Sequence, residues 1–128
     1  MDDIDESGGI IIEVKPEYSS EHSEPEQGRF VFVYYITIRN EGEQAAQLLS
    51  RHWLITDGNG MVEEVMGEGV IGEQPVIGAG DMHQYNSFCV LQTNVGYMEG
   101  SYRMLSEQGE IFDAPIPAFT LAVPGALN

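Results

Sequence analysis

Phe30, Phe32, Tyr34, Ile36 and Ile38 alternate with Val31, Val33, Tyr35, Thr37 and Arg39. Successive side chains of a strand point to opposite faces, so this period of two predicts a long strand with one buried face and one half-covered face. A first strand is expected to begin at Ile10-Ile11-Ile12-Glu13-Val14, followed by a polar, proline-containing loop from Tyr18 to Gly28. The alternating strand should end in a turn at Asn40-Glu41-Gly42.

In Gln47 to Thr56, Leu49, Trp53 and Ile55 share one face with Arg51, and Ser50 and His52 take the other. Asp57-Gly58-Asn59-Gly60 follows, and its Asn-Gly pair predicts a tight hairpin of type I′ with Met61 to Met66 as the returning strand. Further strands are expected at Met82 to Thr93, at Tyr97 to Ser106, and from Ile111 to Val123. Pro115 and Pro117 cannot donate to a ladder, so the last of these should be an edge, bulged or split. Gly, Pro and Asn break the apolar runs at intervals of roughly eight to twelve residues, and no stretch sustains a helical period. The expected fold is all-β: an immunoglobulin or fibronectin type III-like antiparallel sandwich of about seven or more strands.

The length of 128 residues suits one domain with one core. Residues 1–9 are expected to form a flexible acidic leader and residues 10–128 the sandwich. Twenty-one Asp and Glu against five Lys and Arg give a formal charge of −16. The cations Lys15, Arg29, Arg39, Arg51 and Arg103 are scattered, so the basic footprint that phosphate backbones require is missing, and nucleic acid is excluded as a partner. The one cysteine, Cys89, cannot form an intrachain disulfide, which suits a reducing compartment. The acidic start of the chain is unlike a signal peptide, and no apolar run reaches spanning length. A cytoplasmic location without membrane insertion is expected.

Val65 to Pro75 contains Gly67-Glu68-Gly69-Val70-Ile71-Gly72, which spells the G-x-G-x-x-G of dinucleotide-binding loops. That motif works by opening a helix onto a pyrophosphate, with an acidic residue about 20 positions further on. Pro75, Gly78 and Gly80 leave no room for a helix here, and Gln92 occupies the acidic position. Nicotinamide dinucleotide binding is rejected. The glycines are expected to serve a sharp inter-strand turn, steering Val70 and Ile71 into the sandwich. The alternative is a nest of amides for a small ligand or a pyrophosphate carried with a metal, for which Gly67, Gly69, Gly72 and Arg51 are the candidate residues. Glu68 and Glu73 oppose a bare anion.

His22, His52 and His83 have no histidine or cysteine partner at metal-ligand spacing. Asp57, Asn59, Glu63 and Glu68 space like a calcium loop, but Met61 and Val62 occupy positions that loop needs for a ligand and a glycine. No dedicated metal site or cofactor is expected, only weak, diffuse Mg²⁺ or Co²⁺ binding by carboxylates. Ser50, Ser87 and Ser101 lie outside any nucleophile motif, so no catalytic residue is assigned and the chain is read as a non-enzyme.

The stretch Arg51 to Gly60, followed by Glu64-Val65 and Gly67 to Pro75, resembles the signature of the bacterial ApaG family. The resemblance extends to Phe30 to Tyr34, Ile38-Arg39-Asn40, Tyr85 with Ser87, Gly96 to Tyr102 and Ile116 to Leu121. It departs at Ala79 and Asn94, where the family usually carries Pro, and at Phe88, where it usually carries Gly. The resemblance implies a fibronectin type III-like sandwich, no established enzyme activity, and a genetic tie to cobalt and magnesium efflux. It also implies a protein-binding role, since eukaryotic relatives carry the domain in an F-box protein and a DNA polymerase-interacting protein. The expected function is therefore a non-catalytic interaction module with an unidentified protein partner.

Overall fold

The alternation through Phe30 to Arg39 is realised as the central strand of one sheet. The computed structural model describes residues 8–127, so most of the expected leader lies outside the described residues. Eight strands follow in order: β1 (Ile10–Tyr18), β2 (Phe30–Asn40), β3 (Ala46–Asp57), β4 (Val62–Glu68), β5 (Val76–Ile77), β6 (Met82–Leu91), β7 (Val95–Ser106) and β8 (Ile111–Ala122). All pair antiparallel, in a sheet of order β1-β2-β6 and a second of order β4-β3-β7-β8 whose β3 also carries β5. The chain is an all-β sandwich. No helix among the described residues is long and apolar enough to cross a membrane.

The core lies between the sheets. Phe32, Tyr34, Ile36 and Ile38 of β2 face Trp53, Met98, Tyr102 and Met104 of the other sheet, all buried. Trp53 is the hub of an aromatic cluster, edge-on to Tyr34 (5.5 Å), Tyr102 (6.4 Å) and Phe119 (5.9 Å). Asn40, 1% exposed, is fully satisfied. Its amide donates to the carbonyls of Gln44 and Ile77, and its Oδ1 accepts from the Gly42 amide, tying the β2–β3 turn to β5.

Several expectations need correction. Leu48 is the buried leucine and Leu49 only half-buried, because a register shift between Leu48 and Ser50 inserts an extra residue and inverts the facing along β3. Arg51, Trp53 and Ile55 do share a face beyond the bulge. The hairpin at Asn59-Gly60 is not of type I′. Only Gly60 has positive φ (84°), while the Asp57 carboxylate accepts the amides of Asn59 and Met61, a turn closed by one left-handed glycine. The returning strand runs to Glu68 rather than Met66, and β1 runs to Tyr18, so the polar loop starts later. β8 is an edge strand, and its ladder with β7 is irregular opposite Pro117 and Ala118, as the prolines require.

The two sheets close differently at their two flanks. β1 packs against β8 on one side. On the other, β4 and β6 end their sheets without a further strand among the described residues.

Candidate functional site

The four candidate residues of the glycine loop come together on that open flank. Gly67 pairs with Arg51 across the β3–β4 ladder. A Cβ at Gly67 would lie 2.7 Å from Arg51 Nη2 and 2.8 Å from Cζ, so the missing side chain is the space the guanidinium occupies. From there Arg51 Nη1 donates to the carbonyls of Glu68 (3.0 Å) and Gly69 (2.9 Å). These are charge-assisted bonds, which fix the loop more firmly than neutral ones. The loop amides are committed as well. Gly69 N–H donates to Leu49 O, and Val70 and Glu73 exchange N–H···O bonds at 2.8 and 3.0 Å. The loop thus turns carbonyls toward a cation, and these three amides are already paired.

Val70 is buried as expected, but Ile71 is not. Ile71 is 64% exposed with φ of 47°, a left-handed conformation that a β-branched residue rarely takes. The turn between Val70 and Glu73 needs two left-handed residues, Ile71 and Gly72, and that geometry aims the Ile71 side chain at solvent.

Between the flanking edges runs a groove made of two adjoining clefts of about 360 and 270 Å³. Tyr34, Arg51, Trp53 and Ser87 line both. One end opens between Glu63, Val65, Phe88 and Val90, the other at the glycine loop beside Tyr85. The β6 rim is apolar and exposed, with Phe88 at 64% and Val90 at 37%, while Val62 and Met66 are exposed on the outer face of β4. Tyr85 and Ser87 belong to the family resemblance, Phe88 departs from it and Ser87 was weighed as a nucleophile, but none of the three was expected in a groove. The available signal was Tyr85 and Ser87 sharing the parity of buried Cys89 and Leu91 on β6, polar groups on an inward face.

Burial also sets the protonation of this region. The Tyr85 and Tyr102 hydroxyls bond each other across the two sheets. Desolvation raises the pKa of Tyr34, Tyr85 and Tyr102 above the ordinary value of 10.0, and the nearby Arg51 guanidinium only partly offsets it. Burial, reinforced by Glu63, pushes the Cys89 thiol up to about 12. Raised values mean that the fold favours the protonated forms. Their stabilisation is fully present below the unfolded values of 9.0 for Cys89 and 10.0 for the tyrosines, and is lost as pH climbs toward the folded ones. Urea midpoints should therefore hold level to about pH 9 and then fall, by up to about 1.4 kcal/mol per pH unit for each group. Tyr85→Phe should flatten that fall, whereas a midpoint unchanged up to about pH 11 would contradict the buried, protonated cluster.

The remaining chemistry-bearing residues are dispersed. His52 Nε2 lies 2.6 Å from Glu64 on the outer face of β3 and β4, His22 bonds Ser19 Oγ, and His83 lies beside Tyr85. No group of three or more His, Cys, Asp or Glu suited to a metal occurs among the described residues.

Comparison with known proteins extends these findings. The family model described as the ApaG domain matches residues 20–106. The chain is 59% identical to Protein ApaG of Azotobacter vinelandii over 119 residues, 93% of this chain and 94% of that one. A solved structural-genomics target is 51% identical, with a TM-score of 0.88 over 93% of this chain and 90% of its own. A Bordetella pertussis protein solved under the name ApaA is 44% identical, with a TM-score of 0.89 over 91% and 94% of the two chains.

Proposed function

The chain belongs to the ApaG family, and from that premise we propose that it is a non-catalytic interaction module that binds a protein partner along its open flank. One observation carries the reading. β4 and β6 both end their sheets on the same side; the exposed Phe88 and Val90 border a groove floored by Tyr34 and Trp53, and the exposed Met66 lies on the outer face of β4 along the same edge. Exposed apolar side chains beside unpaired strand edges are a means by which sheet proteins recognise partners. The Arg51 clamp on the glycine loop holds one end of this groove in shape. Any tie to cobalt and magnesium homeostasis then runs through the partner, in the cytoplasm, rather than through an ion held by this chain.

Capture from an extract of the source organism tests the reading. Wild-type bait should retain a partner that the Met66→Asp/Phe88→Asp double variant loses, with and without Mg²⁺ or Co²⁺. Equal capture by both would place the binding surface elsewhere.

The diffuse-cation expectation has its own test. With 21 carboxylates repelling one another, added salt should stabilise the fold by screening. The melting temperature is expected to rise with NaCl as it does with MgCl₂ at matched ionic strength. A saturable rise at micromolar Co²⁺ that NaCl does not reproduce would show a specific site instead.

A further inference from the structure

We propose that β4 is a strand-addition edge that selects an extended, positively charged segment of the partner; the inference rests on the open flank being the binding surface and names what that surface takes. Antiparallel ladders alternate the direction of backbone groups. Asp57 N–H donates to Met61 O and Gly69 N–H to Leu49 O, so the odd-numbered residues of β4 face β3. The N–H and C=O groups of Val62, Glu64 and Met66 therefore point away from the sheet, where β4 has no neighbour among the described residues.

The charge of that edge decides what can pair with it. β4 reads Val-Glu-Glu-Val-Met-Gly-Glu, with three carboxylates and no cation. Glu63 faces the groove, and Glu64 and Glu68 face outward, where Glu64 is followed across the sheet by Leu54 and then Glu99. Basic side chains in the neighbourhood are already engaged. His52 sits on Glu64, Arg51 on the loop carbonyls and Arg103 on Asp113. A second copy pairing edge to edge would set three Glu against three Glu, and an inward-pointing charge such as Glu63 is a recognised guard against self-pairing. The same charges complement a cationic strand. Successive side chains of a strand alternate faces, so an alternating segment added at this edge lays its apolar set beside Val65 on the groove face and its Lys or Arg set beside Glu64 and Glu68 on the outer face.

The probe is a labelled seven-residue peptide of alternating lysine and valine, matched to the length of β4, titrated by fluorescence anisotropy against the full chain. A chain of charge −16 attracts any cationic peptide, so the deciding control is the same sequence N-methylated along one edge, which keeps its charge but cannot add as a strand. The unmethylated peptide should bind at least about tenfold more tightly than the methylated one and than a glutamate-valine counterpart, a difference of one decade in Kd. Hydrogen exchange should slow at Val62, Glu64 and Met66 on binding. Met66→Pro removes a free edge N–H without touching the β3 ladder and should abolish the difference. Should that variant fold poorly, Glu63→Gln/Glu64→Gln/Glu68→Gln should weaken binding and flatten its salt dependence. Equal binding of the methylated peptide, or protection confined to other strands, would overturn the inference. Loss of partner capture by the Met66→Asp/Phe88→Asp variant, together with no preference for the unmethylated peptide, would reject this inference while leaving the open-flank reading intact.

Discussion

Replacing Trp53 with alanine is expected to cost the fold about 3–5 kcal/mol, the range for a large aromatic removed from a closed core. Trp53 is 2% exposed and joins aromatic rings from both sheets: Tyr34 of β2, Tyr102 of β7 and Phe119 of β8. Its edge-on contacts each add about 0.5–1.5 kcal/mol beyond area burial, so the variant loses both volume and geometry. Since small domains are stable by only about 5–15 kcal/mol, such a loss should bring the urea midpoint close to zero denaturant or leave the chain unfolded. Trp53→Phe should recover much of it. A midpoint of Trp53→Ala within about 1 kcal/mol of wild type would mean that the sheets do not pack around this residue.

The second large effect falls in the glycine loop and separates three glycines that the sequence presents alike. Gly69→Ala should be the most damaging. Gly69 has φ of 62°, and a Cβ there would collide with the Glu73 carbonyl oxygen, a backbone atom that cannot step aside. Left-handed strain of about 1–2 kcal/mol adds to an overpacking cost of about 1–3 kcal/mol. Gly72→Ala meets open space and carries only the strain of its φ of 75°, so a loss of about 1 kcal/mol is expected. Gly67 has no left-handed requirement, and its Cβ would meet only the end of the Arg51 side chain. Gly67→Ala should leave the midpoint nearly unchanged while displacing Arg51 from the loop carbonyls, which slowed exchange at neighbouring loop amides would no longer show. Urea melts of the three variants check the order. Equal midpoints for Gly69→Ala and wild type would contradict the turn geometry.

Much of this architecture was legible in the residues because it depends on local pattern. Period-two alternation located β2; β-branched and aromatic runs between turn residues located β6, β7 and β8, and the two prolines marked β8 as an edge, bulged or split strand. The face shared by Arg51, Trp53 and Ile55 followed from the same alternation, but the inversion at Leu48 did not, since a bulge is decided by the ladder opposite it. β5 escaped because two residues carry no period. Asn-Gly signalled a hairpin correctly and its turn type wrongly, because the Asp57 carboxylate stabilises a turn in which Asn59 keeps negative φ.

For the site, the glycines and Arg51 stood out in the sequence as separate candidates. Their assembly into one unit depends on the register that sets Arg51 opposite Gly67, a long-range pairing that no local pattern encodes. The groove was less visible still. Tyr34, Tyr85 and Ser87 meet there from two strands; apart from their place in the family resemblance, their advance mark was a polar group on an inward-facing parity.

The central claim is that the flank between β4 and β6 is the surface through which the protein meets its partner. Photocrosslinking tests it most directly, with a benzophenone amino acid placed singly at Phe88, at Met66, and at Ile111, which is 54% exposed on the edge strand of the other flank. In the source organism's extract, the Phe88 and Met66 positions should give one common adduct and Ile111 none. An adduct from Ile111 with none from Phe88 or Met66 would contradict the account.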